Sequence, residues 1–231
     1  MTYVLHYAPD NASLIIRLAL EHRGLDYRTT LVDRATAAQT KAAYRALNPN
    51  GLIPVLETPN GPLFETGAIL LWLADTHGGL GPAPTVPERG NFLKWLFFVA
   101  NTIHPALRMI FYPEKFIAAD HVTALRGGLQ RHLHTSFATL NQTAATKPAW
   151  FCASTPTVLD FYAAAVLRWP ALYPNNTDRT WFDLSNYPAL AQLCAHLETL
   201  PCACALQIAE GLGDTPFTAP HPPTPPEGSA T

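Results

Sequence analysis

The chain has 231 residues, 48% of them hydrophobic and 14% charged, and a formal net charge of −2. A chain of this length buries a proper core as one large domain or two small ones, and near-neutral, interspersed charge gives no electrostatic reason to expect nucleic acid as a partner. No apolar run reaches the roughly eighteen residues of a membrane span, and Met1-Thr2-Tyr3-Val4-Leu5 lacks the basic start and small-residue cleavage site of a secretory leader. No membrane partner and a cytoplasmic location are the expectations. Four cysteines, Cys152, Cys194, Cys202 and Cys204, form no CxxC pair, so the expectation is reduced thiols and no metal site.

Tyr3 to Tyr7 reads as a strand and Ala8-Pro9-Asp10 as a loop, with Asn11 or Ser13 capping a helix that runs to Arg23 and stops at Gly24. Leu25 to Val32 supplies a second strand, and Thr36-Ala-Ala-Gln39 has the spacing of a capping box for a helix to about Leu47. Asn48-Pro49-Asn50-Gly51 is a turn cluster, because Asn and Gly accept positive φ and Pro fixes its own. Val55-Leu56-Glu57, Thr58-Pro59-Asn60-Gly61 and Leu63-Phe64-Glu65 then read as strand, hairpin loop and return strand. Thr66 suits an N-cap for the apolar helix around Ile69-Leu70-Leu71-Trp72-Leu73.

Pro54 cannot donate to a ladder and belongs at a strand's first position, and it pushes Ile53 to an extended conformation. The main-chain groups of Ile53 are therefore open to pairing outside the chain, with the Ile53-Pro54 bond free to be cis or trans on sequence alone. Glu65 and Thr66 add a carboxylate, a hydroxyl and helix N-terminal amides. Such a set can hold a small peptide by backbone pairing at one end and an anion at the other. A turn and a capped helix without any ligand explain the same residues.

Gly78 to Gly90 is the one clear linker, and the chain beyond it is helical in pattern. Thr85-Val-Pro-Glu88 has capping-box spacing before a long apolar helix, Phe92 to Phe111, that Pro105 should bend. Val122, Leu125, Leu129, Leu133, Phe137 and Leu140 recur at helical spacing across a weak point at Gly127-Gly128. Thr157-Val-Leu-Asp160 opens a helix through Trp169, Tyr187-Pro188 opens another, and Leu200-Pro201 breaks it before a short one ending near Gly211. Residues 213–231, rich in Pro and without periodicity, read as a loose extended segment, or as a tail across a site mouth. The domains expected are therefore 1–78 (βαβ-αββα, a small mixed sheet with helices on both faces), a linker at 79–90, an all-helical 91–211 and a disordered tail at 212–231.

Asn-Pro-x-Gly-x-x-Pro-Val-Leu followed by Glu-Thr-x-Ala-Ile resembles the glutathione site of the cytosolic glutathione S-transferases. The likeness covers roughly residues 1–211, is nearest to bacterial beta-like or asparagine-using classes, and implies a thioredoxin-like first domain. It also implies that Ile53 pairs with the cysteinyl backbone of glutathione across a cis Pro54, and that Glu65 and Thr66 hold the γ-glutamyl end. A homodimer conjugating glutathione thiolate to small hydrophobic electrophiles is the implied function. Glutathione-dependent peroxide or disulfide reduction and a non-catalytic binding or scaffold role are the alternatives.

Activation means lowering a thiol pKa from about 8.5–9 towards 7, about 2.7 kcal/mol of anion stabilisation. A hydrogen bond to a charged group supplies roughly 1.5–3 kcal/mol and a helix N-terminus about 0.3–1 kcal/mol, so one donor at the start of the first helix suffices. Ser13 and Asn11 stand nearly level for that role and Tyr7 third. By resemblance Asn11 falls where one bacterial class has its asparagine, while the beta-class cysteine falls on Ala12, excluding a cysteine mechanism there. Capping alone also explains Asn11 and Ser13. By resemblance His104 matches a beta-class histidine facing the glutathione pocket and, with Arg108 one turn along, is a candidate for binding an anionic group or assisting proton transfer, or else a satisfied core residue. Arg108 is also expected, with Phe111 and Tyr112, in the electrophile pocket. Trp95, Phe98, Phe111 and Tyr112 can wall an electrophile site or simply be core. Leu52 replaces a beta-class glutamine that contacts the glycyl backbone, leaving Arg34 or Lys41 to reach the glycine carboxylate.

Overall fold

In the computed structural model, which describes residues 2–226, β1 (Tyr3–Tyr7) lies inside a sheet of order β2-β1-β3-β4. It pairs parallel with β2 (Tyr27–Leu31) and antiparallel with β3 (Val55–Thr58), which turns at Asn60 into β4 (Gly61–Phe64). The βαβ crossover and the hairpin are those read from the sequence. Between β1 and β2, α1 (Ser13–Arg23) buries every residue from Ser13 to Leu20, because it is covered on one side by the sheet and on the other by helices of the second domain. Gly24 ends it at φ 60° with its N–H on the carbonyls of Glu21 and Leu20.

The second helix is shorter than its sequence pattern suggests. Ala37 adopts φ 52°, a left-handed conformation that stops any helix started at Thr36. A single 3-10 turn, Ala38–Thr40, precedes α2 (Ala42–Arg45). Gly51 sits at φ 61°, and a Cβ there would lie 2.8 Å from the carbonyl oxygen of Gln39, so the turn requires glycine twice over. The helix α3 (Thr66–His77) starts one residue earlier than a Thr66 cap requires: Glu65 is its N-cap, at φ 70°, without a side-chain capping bond.

The all-helical domain begins with α4 (Arg89–Phe98), whose N-cap Glu88 makes no capping-box bond. A π-helical turn, Val99–Ile103, then leads into α5 (His104–Phe111) with Pro105 in its first turn. The widened turn opens the hydrogen-bond ladder where Pro105 lacks a donor, and the backbone stays helical without interruption from Arg89 to Phe111. Next come α6 (Val122–Ala145), running unbroken through Gly127-Gly128, and α7 (Val158–Leu172), almost wholly buried. Thr157 caps α7 in a complete capping box with Asp160, whose other oxygen takes the Cys152 N–H at 2.7 Å. The chain closes with α8 (Pro188–Glu198) and α9 (Pro201–Glu210); α1 packs against α3, α7 and α9.

The stretch after Gly211 is not loose over the described residues. Phe217 is 1% exposed, and Glu198 accepts the N–H groups of Phe217 and Thr218 at 2.7 and 2.8 Å. The composition of the segment hides one good anchor. Residues 227–231 of the expected tail lie outside the described residues. Cys194 and Cys202 are buried, Cys152 partly so, and Cys204 is exposed; all four are free thiols. Among the described residues no single helix is long and apolar enough to cross a membrane.

Candidate active site

A cleft of about 920 Å³ separates the two domains. Its sheet side is formed by the β1–α1 loop (Asp10, Asn11, Ala12), the Gly51–Pro54 segment and the start of α3 (Glu65 to Ala68). Facing them are α4 and α5 (Phe97, His104, Arg108, Phe111), Tyr112, and the end of α7 with the loop after it (Trp169, Tyr173 to Thr177). Gly67 makes the close approach possible: a Cβ there would come within 3.3 Å of Ala100 in the π-turn.

Ile53 stands just beyond the β1–β3 ladder, which ends at Val55, and its bond to Pro54 is cis. Tyr44 Oη and Asn48 Nδ2 both donate to the carbonyl of Leu52 at 2.8 Å, locking the loop immediately before it. Burial pushes the Tyr44 hydroxyl well above its usual range, so it remains a donor. Among the described residues Ile53 has no main-chain hydrogen-bond partner. Lining the same cleft, the α3 N-terminus presents amides with no intrahelical acceptor, beside a buried Thr66 and an exposed Glu65. Glu65 and Asp10 (φ 50°) both hold positive φ and both line the cleft; such backbone costs of order 1–3 kcal/mol and collects at binding sites.

The three residues weighed for thiol activation separate. Ser13 is 0% exposed and does not line the cleft: its hydroxyl donates to the Ala8 carbonyl at 3.1 Å and accepts the Ala8 N–H at 3.3 Å. Neither it nor Asn11 is the N-cap, which is Ala12. Tyr7 is also buried, under the Arg17 guanidinium 4.8 Å from its ring centre, and lies off the cleft. Asn11 alone of the three lines it. Asn11 Oδ1 accepts the Ala12 N–H at 2.8 Å, which leaves the amide nitrogen as a donor at the mouth of α1.

His104 lines the cleft with Nδ1 2.8 Å from the Tyr162 hydroxyl and its ring 5.2 Å from that of Trp169. Burial, helped by Arg108, lowers its pKa to about 4, so near neutral pH it is a neutral hydrogen-bonding group. Burial and the nearby Glu65 keep the Tyr162 hydroxyl protonated. Arg34 donates to Tyr112 Oη at 2.8 Å, tying the loop after β2 to the end of α5 across the cleft. Lys41 does not line the cleft, and Trp95 and Phe98 face the core; Phe97 and Trp169 supply the wall instead.

A buried network behind the cleft escaped the sequence reading. Asp10 accepts from Arg168 Nε (2.8 Å), Arg168 Nη2 (2.9 Å), Trp169 Nε1 (3.2 Å) and Tyr173 Oη (2.6 Å). Its own N–H donates to Glu210 at 2.9 Å, and Glu210 is paired with Arg17 at 2.9 Å. Arg168 completes its donors on the carbonyls of Pro216 and His221. The loop carrying Asn11 is thereby bolted to α7, α9 and the C-terminal segment. One signal was present: an arginine inside Val166-Leu167-Arg168-Trp169 must be buried and therefore paired.

Comparison with known proteins places these features among relatives. Residues 12–76 match the family model described as glutathione S-transferase, N-terminal domain. The chain is 29% identical over 218 residues to glutathione S-transferase GST-4.5 of Xanthomonas campestris pv. campestris, covering 90% of this chain and 98% of that one. It is 30% identical over 213 residues to a probable maleylacetoacetate isomerase of Vibrio cholerae, covering 87% and 93%. Among solved structures, a sphingomonad glutathione S-transferase complexed with glutathione superposes with a TM-score of 0.74 at 27% identity, covering 91% of this chain and all of that one.

Proposed function

Because this chain belongs to the glutathione S-transferase family, we propose that it binds glutathione along Ile53 and transfers the thiolate to small electrophiles. The observation that carries the reading is the unpaired main chain of Ile53 in an open cleft that the amide-rich start of α3 also lines. An extended tripeptide laid beside Ile53 gains two backbone hydrogen bonds there. Its γ-glutamyl carboxylate falls to the Thr66 hydroxyl and the α3 amides, its α-ammonium to Glu65, and its glycyl carboxylate to Arg34.

The cysteinyl sulfur then lies over the start of α1, next to Asn11. The amide nitrogen of Asn11 donates to the thiolate, and the α1 N-terminus adds its dipole. Ser13 has no part in this: its hydroxyl is already bonded at both ends. His104 orients by hydrogen bonding, without charge. In the transfer step the sulfur forms a bond to the electrophilic carbon while the leaving group departs with its bonding pair; the thiol proton has already gone to solvent. None of the four cysteines lines the cleft, which argues against reduction through a protein mixed disulfide.

Retention on immobilised glutathione followed by conjugation of an aromatic halide tests the proposal. Retention with conjugation is the expected result. Retention with neither conjugation nor reduction would make the protein a binder, and reduction alone would select the other chemistry. On the same reading the protein is a cytosolic homodimer, so light scattering should give about twice the 25.2 kDa chain mass.

A further inference from the structure

Besides Arg34, which is bonded to Tyr112, the cleft is lined by three further cations: Arg108 on α5, Lys115 in the turn after it and Arg126 on α6. Each is held by contacts that leave its charge uncompensated. Arg126 Nε donates to the Ile110 carbonyl at 3.2 Å, the Arg108 guanidinium lies 5.6 Å from the Phe116 ring centre, and Lys115 Nζ lies 4.5 Å from that of Tyr112. Among the described residues none of the three has a carboxylate within 4.0 Å. Of the two carboxylates that line the cleft, Asp10 is committed to Arg168, and Glu65 forms no ion pair with any of the three. Covering three such charges with a neutral apolar molecule strips their water and returns nothing. Arginine in particular matches a carboxylate with two parallel donors.

We infer that this part of the cleft selects electrophiles carrying a carboxylate, seated on Arg108 and Arg126 with Lys115 beside them, rather than simply the small hydrophobic electrophiles that the family resemblance implies. Phe97, Phe111 and Trp169 serve the hydrocarbon part of the same molecule. The inference rests on the glutathione reading, since the electrophile is the group that would join glutathione's sulfur in the same cleft.

The test compares two glutathione conjugates that differ in one charge: those made from chlorodinitrobenzoate and from its methyl ester. Isothermal titration of the finished conjugates reads the cations whether or not the protein turns the precursors over. The acid should bind about tenfold more tightly than the ester, a charge-assisted contact discounted for partial exposure, and the gap should narrow as salt is raised. Arg108→Gln and Arg126→Gln should bring the acid's affinity close to the ester's. Because Arg126 also braces Ile110, the salt series on the unaltered protein stands as an independent measurement. An ester bound as tightly as the acid, or a gap that survives both substitutions, overturns the inference while leaving glutathione binding intact. Failure of glutathione itself to bind overturns both.

Discussion

Asn11 and Ser13 are two positions apart, yet only one of them has a group to give. Ser13 Oγ sits between the N–H and C=O of Ala8 in a fully buried site, so Ser13→Ala should cost about 1–2 kcal/mol of stability through two orphaned backbone groups. Chemical denaturation measures that loss, and conjugation per folded molecule should be unchanged. A catalytic Ser13 would show the reverse, a stable protein with little activity. His104 carries a pH signature of its own. Its pKa of about 4 in the folded protein is below the ordinary 6.5, so the unfolded chain takes up the proton first. The stability due to neutral His104 is complete above pH 6.5 and is lost as pH falls towards 4, about 1–2 kcal/mol once partial opening to the cleft is allowed for. His104→Gln should flatten that part of the urea-midpoint profile. An unchanged profile would mean that His104 titrates normally.

At the level of elements, the segment from Asn48 to Pro54 is positioned by what surrounds it rather than by its own pairing. Gly51 is the tightest point, with the Gln39 carbonyl where a Cβ would be. Gly51→Ala combines that collision with a strained φ and should cost about 1–3 kcal/mol, displacing Ile53 so that glutathione KM rises more than kcat falls; steady-state kinetics against glutathione separates the two. This hairpin and its flanking turns are legible in the sequence because Asn, Gly and Pro act on their own backbone, with no distant partner needed. The capping box at Thr157 and Asp160 is legible for the same reason. The matching patterns at Thr36 and Thr85 fail: spacing alone does not ensure helical φ at Ala37, and Glu88 rather than Thr85 heads α4. Before Pro105 the sequence signals a missing donor but not that the helix answers it with a π-turn.

The whole molecule is joined by contacts between residues that are remote in sequence, and these are the ones a reading along the chain does not reach. Asp10 and Arg168 are 158 positions apart and wholly buried together, and the described part of the C-terminal segment is held to the same arginine. Ending the chain after Leu212 removes Phe217 and two carbonyl acceptors of Arg168. That truncation should cost about 3–5 kcal/mol, mainly the buried aromatic, and should weaken glutathione binding by loosening the Asp10–Asn11 loop. Urea unfolding and glutathione titration of the shortened chain check both parts. All of this serves one central claim, that glutathione's sulfur lies at Asn11 and is held there as a thiolate. The far-ultraviolet thiolate absorbance of the bound tripeptide, titrated against pH in the parent and in Asn11→Ala, measures it directly. The expected midpoint is near pH 7 in the parent, moving about one to two units upward without Asn11. A midpoint at the free-thiol value in the parent, or one that Asn11→Ala leaves in place, would contradict it.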